Sequence, residues 1–258
     1  DTAITEHFFG PQYDIHGGAV DLIFPHHEAE ITQMEAASGK VPLVRYWVHT
    51  GFLTIDNEKM AKSAGNFFTI REVIEKGYDP IAIRLFMLQS HYRSPINFTF
   101  DNLDAANNRL TNWRNIAALR HQTHDTLRDD DEKSTDEASV SLYATAQALT
   151  EALEDDLNTP AGLTIIDDAF TRLTKAPLQD IHQHALTQLL DVIDEVLGLR
   201  LIESTPDIDD ETKRRIIERQ HARANQDWKK SDDIRKDIEK SGITIRDTAT
   251  GPIWEYLR

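Results

Sequence analysis

A chain of 258 residues with 40% hydrophobic content has room for one large domain or two to three small ones. It has no cysteine, which excludes disulfides and thiolate metal ligands within these residues, and no apolar run near the ~20 residues of a membrane span. A formal net charge of −16 argues against generic affinity for nucleic acid, yet residues 213–240 hold ten Lys/Arg against six acids, so that stretch can still bind RNA locally. The opening residues lack the basic start and apolar core of a secretory signal. They read as mid-domain sequence, with the expectation of a piece cut from a longer, cytoplasmic protein.

Tyr13 to His16 reads as a short strand running into the turn Gly17-Gly18. Ala19 to Ile23 can start a helix that Pro25 interrupts or restarts, and His26 to Ala37 fits a helix. Tyr46-Trp47-Val48-His49 and Phe52-Leu53-Thr54-Ile55 are rich in aromatic and β-branched residues and read as strands. The alternation predicts the last units of an α/β domain over residues 1–78. From Asp79 the period changes. Ile81, Ile83, Leu85, Phe86 and Leu88 form a helical apolar face behind Pro80, and Leu103–Leu119, Val140–Leu153, Ala161–Leu173 and Ile181–Leu197 repeat it, the last with Gly198 as a cap. These make a helical bundle over 79–204. Residues 125–156 carry eleven acids against two bases, and 125–137 reads as an exposed connection. A small third unit, 205–258, is expected from helices Asp209–Gln226 and Trp228–Lys240 and a hairpin of Ile243–Ile245 with Ile253–Tyr256. The fold class is α/β plus all-α.

Three constellations carry chemistry. Lys59 and Lys62 lie on Lys59-Met60-Ala61-Lys62-Ser63-Ala64-Gly65-Asn66, a loop that can bring two ammonium groups to developing phosphate charge, with Gly65 as hinge. The plainer reading is two lysines solvating a turn. His26 and Glu30, four apart, share a helix face and can supply two of zinc's four usual ligands, while His27 and Glu28 should point elsewhere. The plainer reading is a helix start whose acids complement the dipole. His16-Gly17-Gly18 followed by Asp21 places a strand-end imidazole beside backbone that a nucleotide can approach closely.

The run Tyr13 to Gly18, with Asp21-Leu22-Ile23-Phe24-Pro25-His26-His27-Glu28-Ala29-Glu30, closely resembles cysteinyl-tRNA synthetases. So do Trp47-Val48-His49-Thr50-Gly51, the lysine loop with Asn66-Phe67-Phe68-Thr69, His91-Tyr92-Arg93-Ser94, Asp155-Asp156-Leu157-Asn158-Thr159-Pro160, and the stretch from Asp227-Trp228 to Trp254. The resemblance implies the C-terminal half of a Rossmann-type class I catalytic domain, a helical tRNA-binding bundle and a small α+β anticodon-binding domain. It implies ATP with Mg²⁺, L-cysteine and tRNA(Cys) as cofactor and partners, no membrane, and a monomer. Lys59 and Lys62 would stabilise departing pyrophosphate. His16, Gly17, Gly18 and Lys62 would bind the adenylate, Asp21 the substrate, and His26 with Glu30 a zinc ion that takes the substrate thiolate and so rejects serine.

Three departures from the family pattern stand out. The N-terminal half, with its His-rich ATP signature and first zinc cysteine, is missing, so this chain alone should be inactive. Asp1 falls where the second zinc cysteine usually stands; its oxygen can ligate zinc, but the site becomes harder, and an altered or metal-free pocket is the alternative. Ala61 replaces the usual serine between the lysines.

For RNA, the candidates are Arg223, Trp228, Lys229, Lys230, Arg235 and Trp254, with Asp227, Asp232 or Asp233 as base-edge acceptors. Core packing is the plainer reading of both tryptophans. Two rival functions remain: a cysteine:amino-sugar ligase, a class that lacks the tRNA-reading end, and a non-catalytic synthetase-like RNA-binding paralogue.

Overall fold

The computed structural model describes residues 2–61, 63, 65–122, 137–176, 181–248 and 251–257, with backbone alone at 137–138. They divide into one unit of Asp1–Gly77 with Phe86–Leu103 and another of Tyr78–Leu85 with Asp104–Arg258. The first is mixed α/β and the second mostly helical, which agrees with the coarse fold class. Of the sequence expectations, Asp1, Lys62, most of the acidic 125–137 connection and the hairpin tip at 249–250 lie outside the described residues.

The first unit opens with helix α1 (Thr2–Phe9), strand β1 (Tyr13–Ala19), helix α2 (Glu28–Ser38) and strand β2 (Val44–Thr50). β1 and β2 run parallel, with Ile15 opposite Tyr46, His16 opposite Trp47 and Gly18 opposite His49. Parallel neighbours need a long crossover, and the turn at 20–27 with α2 supplies it. Met34, Leu43 and Val44 form a buried cluster beneath them, packed by Tyr13, Ile31 and Trp47. The helix expected to begin at Ala19 is instead a 3₁₀ turn over Val20–Leu22 and a wide turn over Ile23–His27. Phe24 there is extended (φ −136°, ψ 132°), because the ring of Pro25 disfavours a helical residue before it. α2 therefore starts at Glu28, leaving His26 and His27 in the turn.

Strand β3 (Leu53–Ile55) then pairs antiparallel with the two-residue β4 (Glu58–Lys59), so Lys59 ends a strand and not an open loop. Asp56 and Asn57 turn this hairpin with φ of 50° and 64°, the left-handed pair that a tight type I′ turn requires. Helix α3 (Ile70–Glu75) follows, held by a capping box of Thr69 and Glu72. Helix α4 (Pro80–Leu88) leads to β5 (Ile96–Phe98), parallel to β3, and to α5 (Phe100–Ala117). Gly51 is obligatory where β2 passes to β3: a Cβ there would stand 2.3 Å from the Ser94 carbonyl, and its N–H donates to Tyr92 O at 2.7 Å.

In the second unit, helices α6 (Glu137–Glu154), α7 (Thr159–Lys175) and α8 (Gln183–Leu197) match the periodic segments of the sequence. α8 buries Ala185, Leu186, Leu189, Leu190, Ile193 and Leu197, a three-and-four spacing, and Gly198 caps it in the left-handed conformation as expected. Helices α9 (Asp210–Ala224) and α10 (Trp228–Glu239) precede the hairpin β6 (Ile243–Thr248) and β7 (Gly251–Tyr256). Their shared core is Ala118, Ile216, Ile238, Ile243, Ile245 and Trp254. The Gln122 side chain seals it, donating to Trp254 O at 2.9 Å and accepting from Trp254 N–H at 2.8 Å. Among the described residues, no helix is long and apolar enough to cross a membrane.

Candidate active site

The histidine-rich corner of the first unit is built on one face of β1 and β2. Alternation in paired strands puts His16 and Gly18 on the same face as Trp47 and His49. The His16 ring stacks on Trp47, with centroids 4.8 Å apart and planes at 23°. His27 comes over this face from the turn before α2, only 3% exposed, with centroids 4.8 Å from His16 and 4.9 Å from Trp47. His27 Nδ1 and His49 Nε2 share a hydrogen bond of 2.9 Å. Burial, and secondarily the neighbouring His16 and His49, lower the pKa of His27, which favours its neutral ring.

Glu30 sits in the first turn of α2, where a carboxylate complements the helix dipole, and is 6% exposed. Its Oε1 lies 3.7 Å from His26 Nε2 and its Oε2 3.5 Å from His16 Nε2. The expected His26–Glu30 pairing is thus present as a contact. The expectation that His27 points elsewhere is wrong: because the helix starts late, His27 turns inward, and the donor atoms of His16, His27 and Glu30 lie within 4.8 Å of one another. Two imidazole nitrogens and a carboxylate oxygen suit a borderline cation such as zinc, and Glu30 Oε2 is buried without a hydrogen-bond partner. His27, His49 and Trp47 escaped the sequence reading as site residues. The signal available was the two-residue alternation of Trp47 and His49 in β2.

A Cβ on Gly18 would come within 2.7 Å of His27 Cε1, so the missing side chain is the seat of that imidazole. Gly17 is exposed and would tolerate one, its nearest neighbour being Val48 O at 3.5 Å. Asp21 is exposed on the turn Val20–Leu22.

Lys59 is exposed at the end of β4, opposite Thr54. Asn66 ties the following segment back to it: its Oδ1 accepts from Ala61 N–H at 2.9 Å and its Nδ2 donates to Lys59 O at 3.2 Å. Gly65 adopts φ +68° just before Asn66, a conformation few other residues accept. Asn66 is therefore a positioning residue of this loop that charge-based reading passed over.

In the second unit, Trp228 is 56% exposed at the start of α10, with the Arg223 guanidinium over its ring at 5.6 Å. Lys229 is exposed, Lys230 pairs with Glu218 at 2.8 Å and Arg235 with Glu239 at 3.1 Å. Asp232 and Asp233 are exposed, whereas Asp227 accepts from Lys230 N–H as the N-cap of α10 and is committed to the helix. Trp254 is 5% exposed within the apolar core, so it is a packing residue and not an RNA-stacking one. Arg219, 2% exposed, makes a bidentate pair with Asp247 at 2.8 and 2.9 Å that locks α9 to β6.

The chain is similar to known proteins in sequence and in fold. Residues 2–108 match the catalytic domain of class I (C) tRNA synthetases, and residues 205–254 match the cysteinyl-tRNA ligase anticodon binding domain. A cysteine–tRNA ligase of Lachnospira eligens is 35% identical over 98% of the chain, and that of Legionella pneumophila 38% identical over 99%. The chain spans 54% of each of these relatives, about half their length. Among solved structures, the LeuRS–tRNA–LeuAMS ternary complex from Agrobacterium radiobacter superposes with a TM-score of 0.56 at 17% identity, covering 74% of this chain and 27% of that one. An arginyl-tRNA synthetase from Campylobacter jejuni, titled as putative, gives 0.54 at 16% identity, covering 77% and 48%. At such identities these two speak for the fold alone.

Proposed function

We propose that this chain, which belongs to the cysteinyl-tRNA synthetase family, supplies part of the active site and the RNA-reading end of an enzyme that joins L-cysteine to tRNA(Cys). In that reaction the cysteine carboxylate attacks the α-phosphate of ATP and displaces pyrophosphate. A terminal ribose hydroxyl of the tRNA then attacks the adenylate carbonyl and releases AMP. The observation that carries the reading is the order of parts in one chain: histidine corner, lysine loop, helical unit, then a segment matching an anticodon-binding domain. That last match weighs against an amino-sugar ligase, which has no RNA to read.

The residues divide the work by their chemistry. Lys59 and Lys62 place fixed positive charge where it develops on the departing pyrophosphate, and Mg²⁺ accompanies the phosphates. Asn66 holds the backbone from which Lys59 and Ala61 project. His16, Gly17 and Gly18 line the adenylate, and Asp21 receives the substrate's amino-acid end. His26 and Glu30, with Asp1 as a third donor, would hold zinc; the fit rests on the buried Glu30 carboxylate, whose Oε1 lies 3.7 Å from His26 Nε2. A zinc ion bound there would take the substrate sulfur as a ligand, which favours a thiol over a hydroxyl. Arg223, Trp228, Lys229, Lys230 and Arg235 form the RNA-contacting face. The reading carries with it a cytoplasmic site of action and a monomeric enzyme.

The test is ATP–pyrophosphate exchange by the full-length protein. Exchange that depends on cysteine and not on serine is expected. Absence of exchange with any thiol amino acid overturns the ligase reading in favour of a non-catalytic RNA-binding relative.

A further inference from the structure

The Tyr13 side chain folds back along β1 onto His16, with its hydroxyl oxygen 2.5 Å from His16 Nδ1. The other ring nitrogen, Nε2, faces Glu30 Oε2 at 3.5 Å. A neutral imidazole carries its proton on one nitrogen and a lone pair on the other, so these two neighbours decide which tautomer is present. A lone pair on Nε2 would face a buried carboxylate oxygen, which is repulsive, whereas an N–H there is attracted to it. Nδ1 must then accept, and a phenol is the donor in place.

We propose that Tyr13 is a positioning residue: its O–H donates to His16 Nδ1 and thereby fixes the proton on Nε2, directed at Glu30. The Nε2 proton then faces the Glu30 carboxylate, so His16 is not a cation ligand, although its nitrogen falls in the same cluster. The division of labour follows. With the Nε2 proton turned toward Oε2, the other carboxylate oxygen, Oε1, on the His26 side at 3.7 Å, is left for a cation. Three further observations fit. Tyr13 is only partly exposed, and burial with the Glu30 charge raises its phenol pKa, so it keeps its proton across the neutral range. The Trp47 stack holds the plane in which the His16 ring presents its two nitrogens to Tyr13 and Glu30. His27 has a different hydrogen-bond partner, His49. The arrangement belongs to this chain's own residues and holds whatever substrate the site takes, so its failure leaves the ligase reading untouched.

The test is long-range ¹H–¹⁵N correlation on the 258-residue chain labelled at histidine nitrogen, at a pH where imidazoles are neutral, with His16 assigned by His16→Gln. The expected result is a pyrrole-like Nε2 and a pyridine-like Nδ1 for His16. Tyr13→Phe, which keeps the ring in the cluster, should bring the two His16 shifts together as the tautomers mix. Zn²⁺ added until the His26 signals move should leave the His16 Nε2 proton in place. A wild-type His16 protonated at Nδ1, or one that loses its Nε2 proton to added Zn²⁺, overturns the proposal. So does an unchanged tautomer in Tyr13→Phe. If that variant fails to fold, the wild-type spectrum alone still decides.

Discussion

Gly18 lies directly against the imidazole of His27, and the pair fixes the depth at which the α2 start sits on the β1–β2 face. Any side chain at position 18 must displace that ring. Gly18→Ala is therefore expected to destabilise the chain by about 1–3 kcal/mol, the usual cost of forcing one extra methyl into packed surroundings. Gly17→Ala is the internal control, because its nearest neighbour stands at an ordinary 3.5 Å. Urea unfolding of both variants checks the prediction. Equal losses at the two positions would mean that His27 is not seated as described.

Arg219 and Asp247 support a second prediction, in which the two ends of one ion pair respond unequally. Arg219 is 2% exposed and its Nε has no hydrogen-bond partner, whereas Asp247 is 41% exposed. Asp247→Asn leaves a buried guanidinium without its countercharge, at most about 3–5 kcal/mol and less here because water reaches the pair. Arg219→Met leaves a carboxylate that can hydrate, and should cost less. The hydrogen bonds from Arg219 hold the Asp247 carboxyl below its ordinary value of 3.8. The pair's contribution is accordingly complete above that value and is lost as pH falls through the lower folded one. Asp247→Asn should flatten the acid limb of the stability–pH curve, measured by denaturant titration from neutral pH downward.

Much of this architecture is legible in the sequence, for a physical reason. α7 and α8 each bury one stripe of a long helix, so their periods survive any detail of packing. β4 has two residues, too few to show alternation. At the site, the residue types of His26 and Glu30 announced themselves, but the inward turn of His27 depends on where α2 starts. That start was set by Phe24 and Pro25 and not by the helix's own residues. The capping box of Thr69 and Glu72 and the Asp56-Asn57 turn carry local signals of their own.

The lysine segment yields a prediction that separates charge from scaffold. In the full-length protein, Lys62→Ala should slow cysteine-dependent pyrophosphate exchange by about 10²–10³-fold, the scale on which one fixed transition-state donor matters. Asn66→Ala keeps both lysines but removes the hydrogen bonds to Ala61 N–H and Lys59 O. It should also lower the exchange rate, by a smaller factor, with tRNA affinity unchanged in both variants. An Asn66→Ala enzyme with full exchange activity would show that the tie is dispensable for the chemistry.

The two tryptophans of the C-terminal segment should part company. Trp228 is 56% exposed, flanked by Arg223, and begins a helix that carries Lys229 and Lys230. Such a ring is available to stack on an unpaired base, a contact of roughly 1–3 kcal/mol. Trp228→Ala is thus expected to weaken tRNA(Cys) binding about five- to 150-fold, on conversion at 1.4 kcal/mol per decade, with little change in stability. Trp254 is 5% exposed, stacks with His121 at 6.4 Å and against Tyr256 at 5.3 Å, and its backbone is held by Gln122. Trp254→Ala should cost about 3–5 kcal/mol of stability and reduce RNA binding only as far as the segment unfolds. Filter binding and thermal unfolding on the same preparations distinguish the two. Loss of affinity in Trp254→Ala with an unchanged unfolding curve would return that ring to the RNA-contacting face.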